Sequence, residues 1–563
     1  MSNSFIKTAA PRPITDVAAQ LGLDESSVEP YGWHAGKLSL GLHERLTERP
    51  TGKYIGVTAV NPTPFGEGKT VVSIGLAMAI ARRKHRSIVT LREPSLAPVF
   101  GIKGGGAGGG RSRLLPTEDI NLHFTGDLHA VATANNLLAA MIDNHCKRGL
   151  APALTADGIT WRRVIDISDK GLAHIETGLD DVRQAPRRQT GFDLTAASEV
   201  MSILALATGL ADLRERLGRI VVARSRDNKF VTAAQIGVSG AMTALLRNAL
   251  RPNLVQTSEH TPAFVHAGPF GNISHGNSSV IADLTALRLA DYVVTESGFG
   301  SDLGAEKFFN IKCRADGLRP DAEIVVCTVR ALKFHSGRFD VRPGRPLPES
   351  LLQEDTDAMR AGFANLEGHL AHLRAYGIPV VVAINQFPSD TGAELDLLRS
   401  LALESGAQHV ALSAAFSQGS EGSLELADAV IDACSTTGSF RSLYSLDLPY
   451  EQKIEKIARQ TYGADGVDFH QGVAEQLVEF ADRGYGNLPV CIAKTQYSLS
   501  HDPKKIGRPK GFRLPIREVR LSAGAGFVLA LTDGISLMPG LPREPAAYRI
   551  DVDSEGRIVG PGD

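Results

Sequence analysis

Short aliphatic runs alternate with helix-length apolar patterns along most of this chain. Residues 54–60 (YIGVTAV), 87–91 (SIVTL), 291–295 (DYVVT), 323–329 (EIVVCTV) and 379–385 (PVVVAIN) are nearly continuous in β-formers. Strands buried on both faces carry that pattern, without the alternation of a half-exposed strand. Between them, residues 14–23, 71–83, 135–145 and 192–217 carry apolar positions over helical lengths, and 219–223 reads as a further strand. Strand, helix and strand in succession predict an α/β fold, with a mostly parallel sheet and helices on both faces. Residues 342–348 hold three prolines and read as an irregular excursion. After Cys434 the pattern changes to a helix at 450–464 and short strands at 490–493 and 528–531 among many Gly and Pro. The expected division is a large nucleotide-binding α/β domain over 1–375 with an inserted subdomain at about 125–280, a smaller α/β domain over 376–445, and an α+β domain over 446–563.

Composition narrows the class. A length of 563 residues exceeds one core, and 43% hydrophobic with 22% charged residues describes a soluble globular chain. A formal charge of −2 argues against nucleic acid and against a polybasic membrane surface. Cys146, Cys313, Cys327, Cys434 and Cys491 are widely spaced without a C-x-x-C pair, as reduced core thiols of a cytoplasmic protein would be. The first residues lack an apolar signal core, and no apolar run approaches membrane-spanning length.

The candidate chemistry starts directly after the first strand, at Thr63-Pro64-Phe65-Gly66-Glu67-Gly68-Lys69-Thr70. A strand, a glycine-containing turn and a helix start aim backbone N–H groups and a helix N-terminus at one spot, which suits phosphate. Lys69 supplies a mobile charge for the outer phosphates, and Thr70 a hydroxyl suited to Mg²⁺. The pattern G-x-x-x-x-G-K-[ST] is met only in part, because Thr63 stands where its first glycine belongs. A glycine turn followed by an ordinary exposed lysine would leave the same letters. The 87–91 strand ends in Arg92-Glu93, and charges at the carboxyl end of a parallel strand face the ligand crevice unless they form a surface ion pair. The run from Gly101 to Gly110 is either a flexible linker or a loop lying close to a ligand; its weakly polar flanks favour the loop.

Seven stretches then stand together in order: TPFGEGKT from Thr63, LREPS from Leu91, GIKGG from Gly101, EDINLHFTGD from Glu118, PAFVH from Pro262, LGAEKF from Leu303 and KTQYSLS from Lys494. Together they resemble the formate–tetrahydrofolate ligase family, in its monofunctional form, from about Ile14 to nearly the end. The resemblance implies a P-loop NTPase-like sheet and ATP-dependent ligation of formate to tetrahydrofolate through formyl phosphate. It implies ATP on Thr63, Pro64, Phe65, Gly66, Glu67, Gly68, Lys69 and Thr70, with Mg²⁺ at Thr70. It implies Lys69 and Arg92 as catalytic groups, with Arg92 holding formate or formyl phosphate, where a planar guanidinium fork can pair two oxygens at once. It further implies a pterin slot between Phe387 and Phe416, a homotetramer, and activation by K⁺ or NH₄⁺.

Several positions depart from the family's usual pattern. Phe416 stands where a Trp is usual, Phe65 where a small residue is, Val71 where Thr or Ser is, and Arg111 and Arg113 flank Ser112 where Tyr-Ser-Gln is common. Asn385-Gln386 superficially matches the guanine-reading N-K-x-D, but Pro388 occupies the Asp position, which discounts GTP. Two alternatives stay open: a divergent ligase for another small carboxylate or folate form, and a P-loop regulatory ATPase.

Overall fold

Eight strands form the body of a twelve-stranded mixed sheet: β1 (Lys53–Ala59), β2 (Ser87–Leu91), β3 (Asn253–Thr257), β4 (Pro262–Val265), β5 (Tyr292–Glu296), β6 (Ala322–Cys327), β7 (Val380–Asn385) and β8 (His409–Ser413). Their spatial order is β3-β4-β2-β5-β1-β6-β7-β8. From β4 to β8 every neighbouring pair is parallel, and β3 joins the edge antiparallel. The computed structural model describes residues 10–103, 105–179, 185–341, 346–436 and 438–560; Gly104 of the glycine run and residues 342–345 of the proline-rich excursion lie outside the described residues.

The continuous apolar runs are explained by two cores, one on each face of the sheet. Tyr54, Ile88, Val325 and Val382 belong to one, while their neighbours Ile55, Val89, Ile324 and Val381 belong to the other. Four helices bear on the site: α1 (Lys69–Arg82), α2 (Asp127–Arg148), α3 (Val329–His335) and α4 (Leu424–Ser435). Every residue of α1 from Val72 to Ile80 is buried, because the helix lies between the sheet and α4. A helix apolar all round is one covered on all sides.

The 192–217 pattern is not one helix. Phe192–Leu194 pairs in parallel with Arg163–Ile165, and two helices follow, Glu199–Leu206 and Leu210–Arg219. Local hydrogen bonding divides them. The Ser198 hydroxyl accepts the Met201 N–H, starting the first helix, and the Thr208 N–H turns to the Asp212 carboxylate at 3.0 Å, starting the second. Near the C-terminus, β9 (Val490–Ala493), β10 (Glu518–Ser522) and β11 (Phe527–Leu531) form a separate three-stranded sheet in the order β9-β11-β10.

Candidate active site

Because β1, β2, β5, β6, β7 and β8 run the same way, the residues following each of them gather at one edge of the sheet. After β1 comes the turn from Thr63 to Thr70. Glu67 is its internal knot: its carboxylate accepts the Thr63 N–H at 3.0 Å and the Thr63 hydroxyl at 2.7 Å, and Thr328 donates to its other oxygen at 3.2 Å. Burial pushes this carboxyl upward, opposed by the Thr63 bonds, the Lys69 charge and the Thr328 bond. Gly66 and Gly68 both have φ of 76°. A Cβ on Gly68 would lie 2.3 Å from the Asn385 amide nitrogen, which donates to the Glu67 carbonyl at 3.0 Å. A Cβ on Gly66 would meet nothing within 4 Å, so the mouth of the turn is open. No side chain caps α1 at Gly68, which leaves the first-turn N–H groups open at that mouth; Lys69 and Thr70, both half-buried, begin the helix. Pro64 and Phe65 form the outer rim and are half-buried; Val71 follows within α1.

Arg92 is the first residue after β2. Its guanidinium donates to the Pro269 carbonyl at 3.0 Å, and no ion pair ties it among the described residues. It lies on the backbone that follows β5, since a Cβ on Gly298 would stand 3.0 Å from its Nη2. Burial lowers its proton affinity and the Glu296 carboxylate restores part of it. Around it, Glu93, Glu296 and His275 are buried, and each has one polar atom without a hydrogen-bond partner among the described residues. Burial, with the Lys312 and Arg92 charges, holds His275 neutral, well below the ordinary histidine range. The Glu93 carboxyl is pushed well up by burial and by Asp127, which is itself ion-paired to Lys37 at 2.6 Å. A guanidinium bonded to one carbonyl and tied in no ion pair among the described residues has donors left that can hold a small anion.

Phe387 and Phe416 follow β7 and β8, adjacent strands whose last residues, Asn385 and Ser413, are register partners. Phe387 is half-buried, with the Arg330 guanidinium carbon 3.5 Å from its ring centre. Phe416 is 55% exposed, too open for a core side chain. Its carbonyl accepts the Arg111 N–H at 2.8 Å, and the Ser112 hydroxyl donates to the Ala415 carbonyl at 2.8 Å. The glycine run therefore joins the same edge: Gly108–Gly109 pairs with Ser112–Leu115 as a hairpin against the Phe416 turn. Arg111 is exposed and Arg113 half-buried, its carbonyl accepting the Ser258 N–H at 2.8 Å. The motifs gave no role to Asn385, Thr328, Glu296, Gly298 or Arg330. Glu93 and Asp127 stood inside quoted motifs and could have been taken from them.

A glycine turn, a helix start without a side-chain cap, a guanidinium and two rings at one carboxyl edge describe an α/β protein with a mostly parallel sheet, the edge at which such sheets bind ligands. The chain belongs to the formate–tetrahydrofolate ligase family: the family model described as Formate–tetrahydrofolate ligase matches residues 3–561. It is 54% identical over 549 residues to the formate–tetrahydrofolate ligase of Roseiflexus castenholzii, covering 98% of this chain and 97% of that one. The same-named proteins of Saccharopolyspora erythraea and Desulforamulus reducens are 52% identical over 554 residues and 50% over 548, covering 98% and 97% of both chains respectively.

Proposed function

We propose that this chain ligates formate to tetrahydrofolate with ATP, giving 10-formyltetrahydrofolate, ADP and phosphate, through formyl phosphate. Family membership supports the overall reaction, and the observation that carries the site assignment is Arg92. It is half-buried, bonded to one carbonyl and without an ion pair among the described residues, and stands at the end of β2. β5 alone separates β2 from β1, so Arg92 and the phosphate turn begin about 10 Å apart. In this reading the turn is a P-loop. Its N–H groups and Lys69 hold the phosphates, and Thr70 offers a hydroxyl to the magnesium that accompanies them. Among the described residues no group of three His, Cys, Asp or Glu side chains could hold a metal ion.

Arg92 fixes formate in line with the γ-phosphate and offsets the repulsion between two anions, since catalysis of phosphoryl transfer is mainly positioning and electrostatics. The formate oxygen attacks phosphorus and ADP leaves. The N10 amine of folate then attacks the formyl carbon, releasing phosphate. Phe387 and Phe416 hold the pterin on faces that close the second step to water. The 376–445 stretch carries this slot on strands that continue the main sheet, between the units 1–375 and 446–563. The proposal extends to a cytoplasmic homotetramer activated by K⁺ or NH₄⁺, checked by light scattering and by rates in K⁺ against Na⁺. Among the described residues no helix is long and apolar enough to cross a membrane.

Arg92→Lys tests the assignment. Lysine keeps the charge and loses the fork. Formate KM rises and kcat falls, while ATP affinity changes little. Collapse of ATP binding with formate dependence untouched would make Arg92 a nucleotide ligand. Turnover with acetate or bicarbonate equal to that with formate would favour a ligase of another carboxylate.

A further inference from the structure

β6 hands the chain to α3 through Thr328, whose hydroxyl accepts the Ala331 N–H at 3.0 Å and donates to Glu67 of the phosphate turn at 3.2 Å. In the first turn of α3, Arg330 sits between two rings. Its guanidinium carbon is 3.5 Å from the centre of Phe387 and 5.1 Å from that of Phe65. Phe65 also meets Phe334, four residues along α3, edge to face at 6.2 Å. Arg330 is half-buried, and its Nε has no partner among the described residues. Two carboxyl groups act on it, Asp390 and Glu67. Glu67 lies in the phosphate turn, and Asp390 accepts the Phe387 N–H at 2.8 Å. Arg330 therefore touches a ring of the phosphate turn and a ring of the slot, and feels one carboxylate from each.

We propose that Arg330 is a positioning residue that ties the phosphate turn to the folate slot, so that occupancy of one site sets the ring geometry of the other. This rests on the reading of Phe387 as a wall of the slot. A ring face covered by a guanidinium is closed to a pterin, so Phe387 offers folate its opposite face, held at a fixed angle by the stack. Phe65 is the other half of the device. Its ring reaches the guanidinium, which a smaller side chain would leave alone. Movement of the turn around bound phosphate passes through Phe65 and Arg330 to Phe387, and by linkage folate tightens nucleotide binding by the factor with which nucleotide tightens folate.

A double-mutant cycle read on the tetrahydrofolate KM tests this. Phe65→Ala, a change inside the phosphate turn, raises that KM about fivefold. Arg330→Met raises it about tenfold. Phe65→Ala made on the Arg330→Met background adds nothing further, because the link is already cut. Arg330→Lys keeps the charge without the flat face and recovers only part of the loss. Formate-dependent ADP–ATP exchange needs no folate; its persistence in the Arg330 variants shows that the fold and the phosphate turn stand. Additive effects on folate KM, full recovery in Arg330→Lys, or a Phe65→Ala effect confined to the ATP KM would overturn the proposal. A wild-type protein without formate-dependent exchange would overturn the proposed function instead, so the two failures are distinct.

Discussion

Gly68 is held to glycine by two separate constraints. Its φ of 76° is a left-handed conformation that costs an ordinary residue about 1–2 kcal/mol, and the space for a Cβ is filled by the Asn385 amide 2.3 Å away. Lys69, the next residue, faces neither constraint. It is half-buried at the start of α1, and in the proposed function its charge acts on the phosphates. The two positions therefore fail in opposite ways. Lys69→Ala keeps a near wild-type melting temperature and loses on the order of 10³-fold in kcat/KM, as removal of a charge on the transferring group does. Gly68→Ala lowers the melting temperature as well, by forcing Asn385 off the Glu67 carbonyl. Near-normal turnover in Lys69→Ala would end the phosphate assignment. The place of Lys69, Thr70 and Arg92 at the carboxyl edge was legible in the sequence, because each stands in a contiguous motif at a strand end. Asn385 was legible only as a fragment of a guanine motif, whereas the structure uses it to support the turn, 318 residues back along the chain. Its partner is set by the pairing of β6 with β7, which no local spacing records. The same holds for Thr328 and Arg330, whose neighbours come from other strand ends.

At the scale of elements, strands were more legible than helices. A strand buried on both faces writes itself as a continuous apolar run, and β1, β2, β5, β6 and β7 lie within two residues of the expected bounds. The 192–217 helix divided because Ser198 and Thr208 offer local hydrogen bonds that compete with a continuous ladder. The glycine run was ambiguous for a related reason: glycine tolerates both a linker and a tight hairpin, and contact with the Phe416 turn decides between them. That contact places Arg111 and Phe416 side by side. Gly75 in α1 completes the seat, since a Cβ there would come within 2.5 Å of the Ala415 Cβ. Phe416 is thus presented outward on a well-supported turn, and its truncation should leave stability nearly unchanged. Stacking on an aromatic platform is worth roughly 1–3 kcal/mol. Phe416→Ala accordingly raises the tetrahydrofolate KM roughly ten- to hundredfold. Formate-dependent ADP–ATP exchange survives. Phe416→Trp restores ring area and tightens folate modestly. Folate kinetics unchanged in the alanine variant would leave the exposed ring without a part in the slot.

Across the whole molecule, two motifs that signalled the family turn out to build a junction. Lys494 is buried and pairs with Asp302 at 2.6 Å, while donating to the carbonyls of Thr495 and Ser498. Asn61, just ahead of the phosphate turn, donates to the Gln496 carbonyl at 3.2 Å, so the C-terminal unit is bonded to the edge that carries the site. Three buried histidines brace the same region. His335 accepts the Gly507 N–H, His369 the Asn61 N–H, and His372 bonds the Ser301 carbonyl; burial lowers them to about 4, 3 and 4. Glu306, from the LGAEKF motif, is fully buried nearby and pushed up to about 7 by burial, with Lys307 and the Asn310 amide opposing the rise. The two kinds of group act with opposite sign. The histidines are neutral in the folded chain and take up protons on unfolding below about pH 6.5, so they withdraw stability as pH falls. Glu306 stays protonated in the folded chain while its unfolded counterpart ionises above about pH 4.5, so its contribution is full below that pH and is lost as pH rises to about 7. Glu306→Gln isolates the second effect, because glutamine keeps an acceptor for Asn310 and does not titrate. Wild-type stability minus that of Glu306→Gln should decline between pH 4.5 and 7 by up to about 3 kcal/mol and level off above. Urea unfolding of both proteins at half-unit pH steps measures the difference. A difference constant across that window would mean that the carboxyl is already ionised in the folded chain, with Lys307 and Asn310 outweighing its burial.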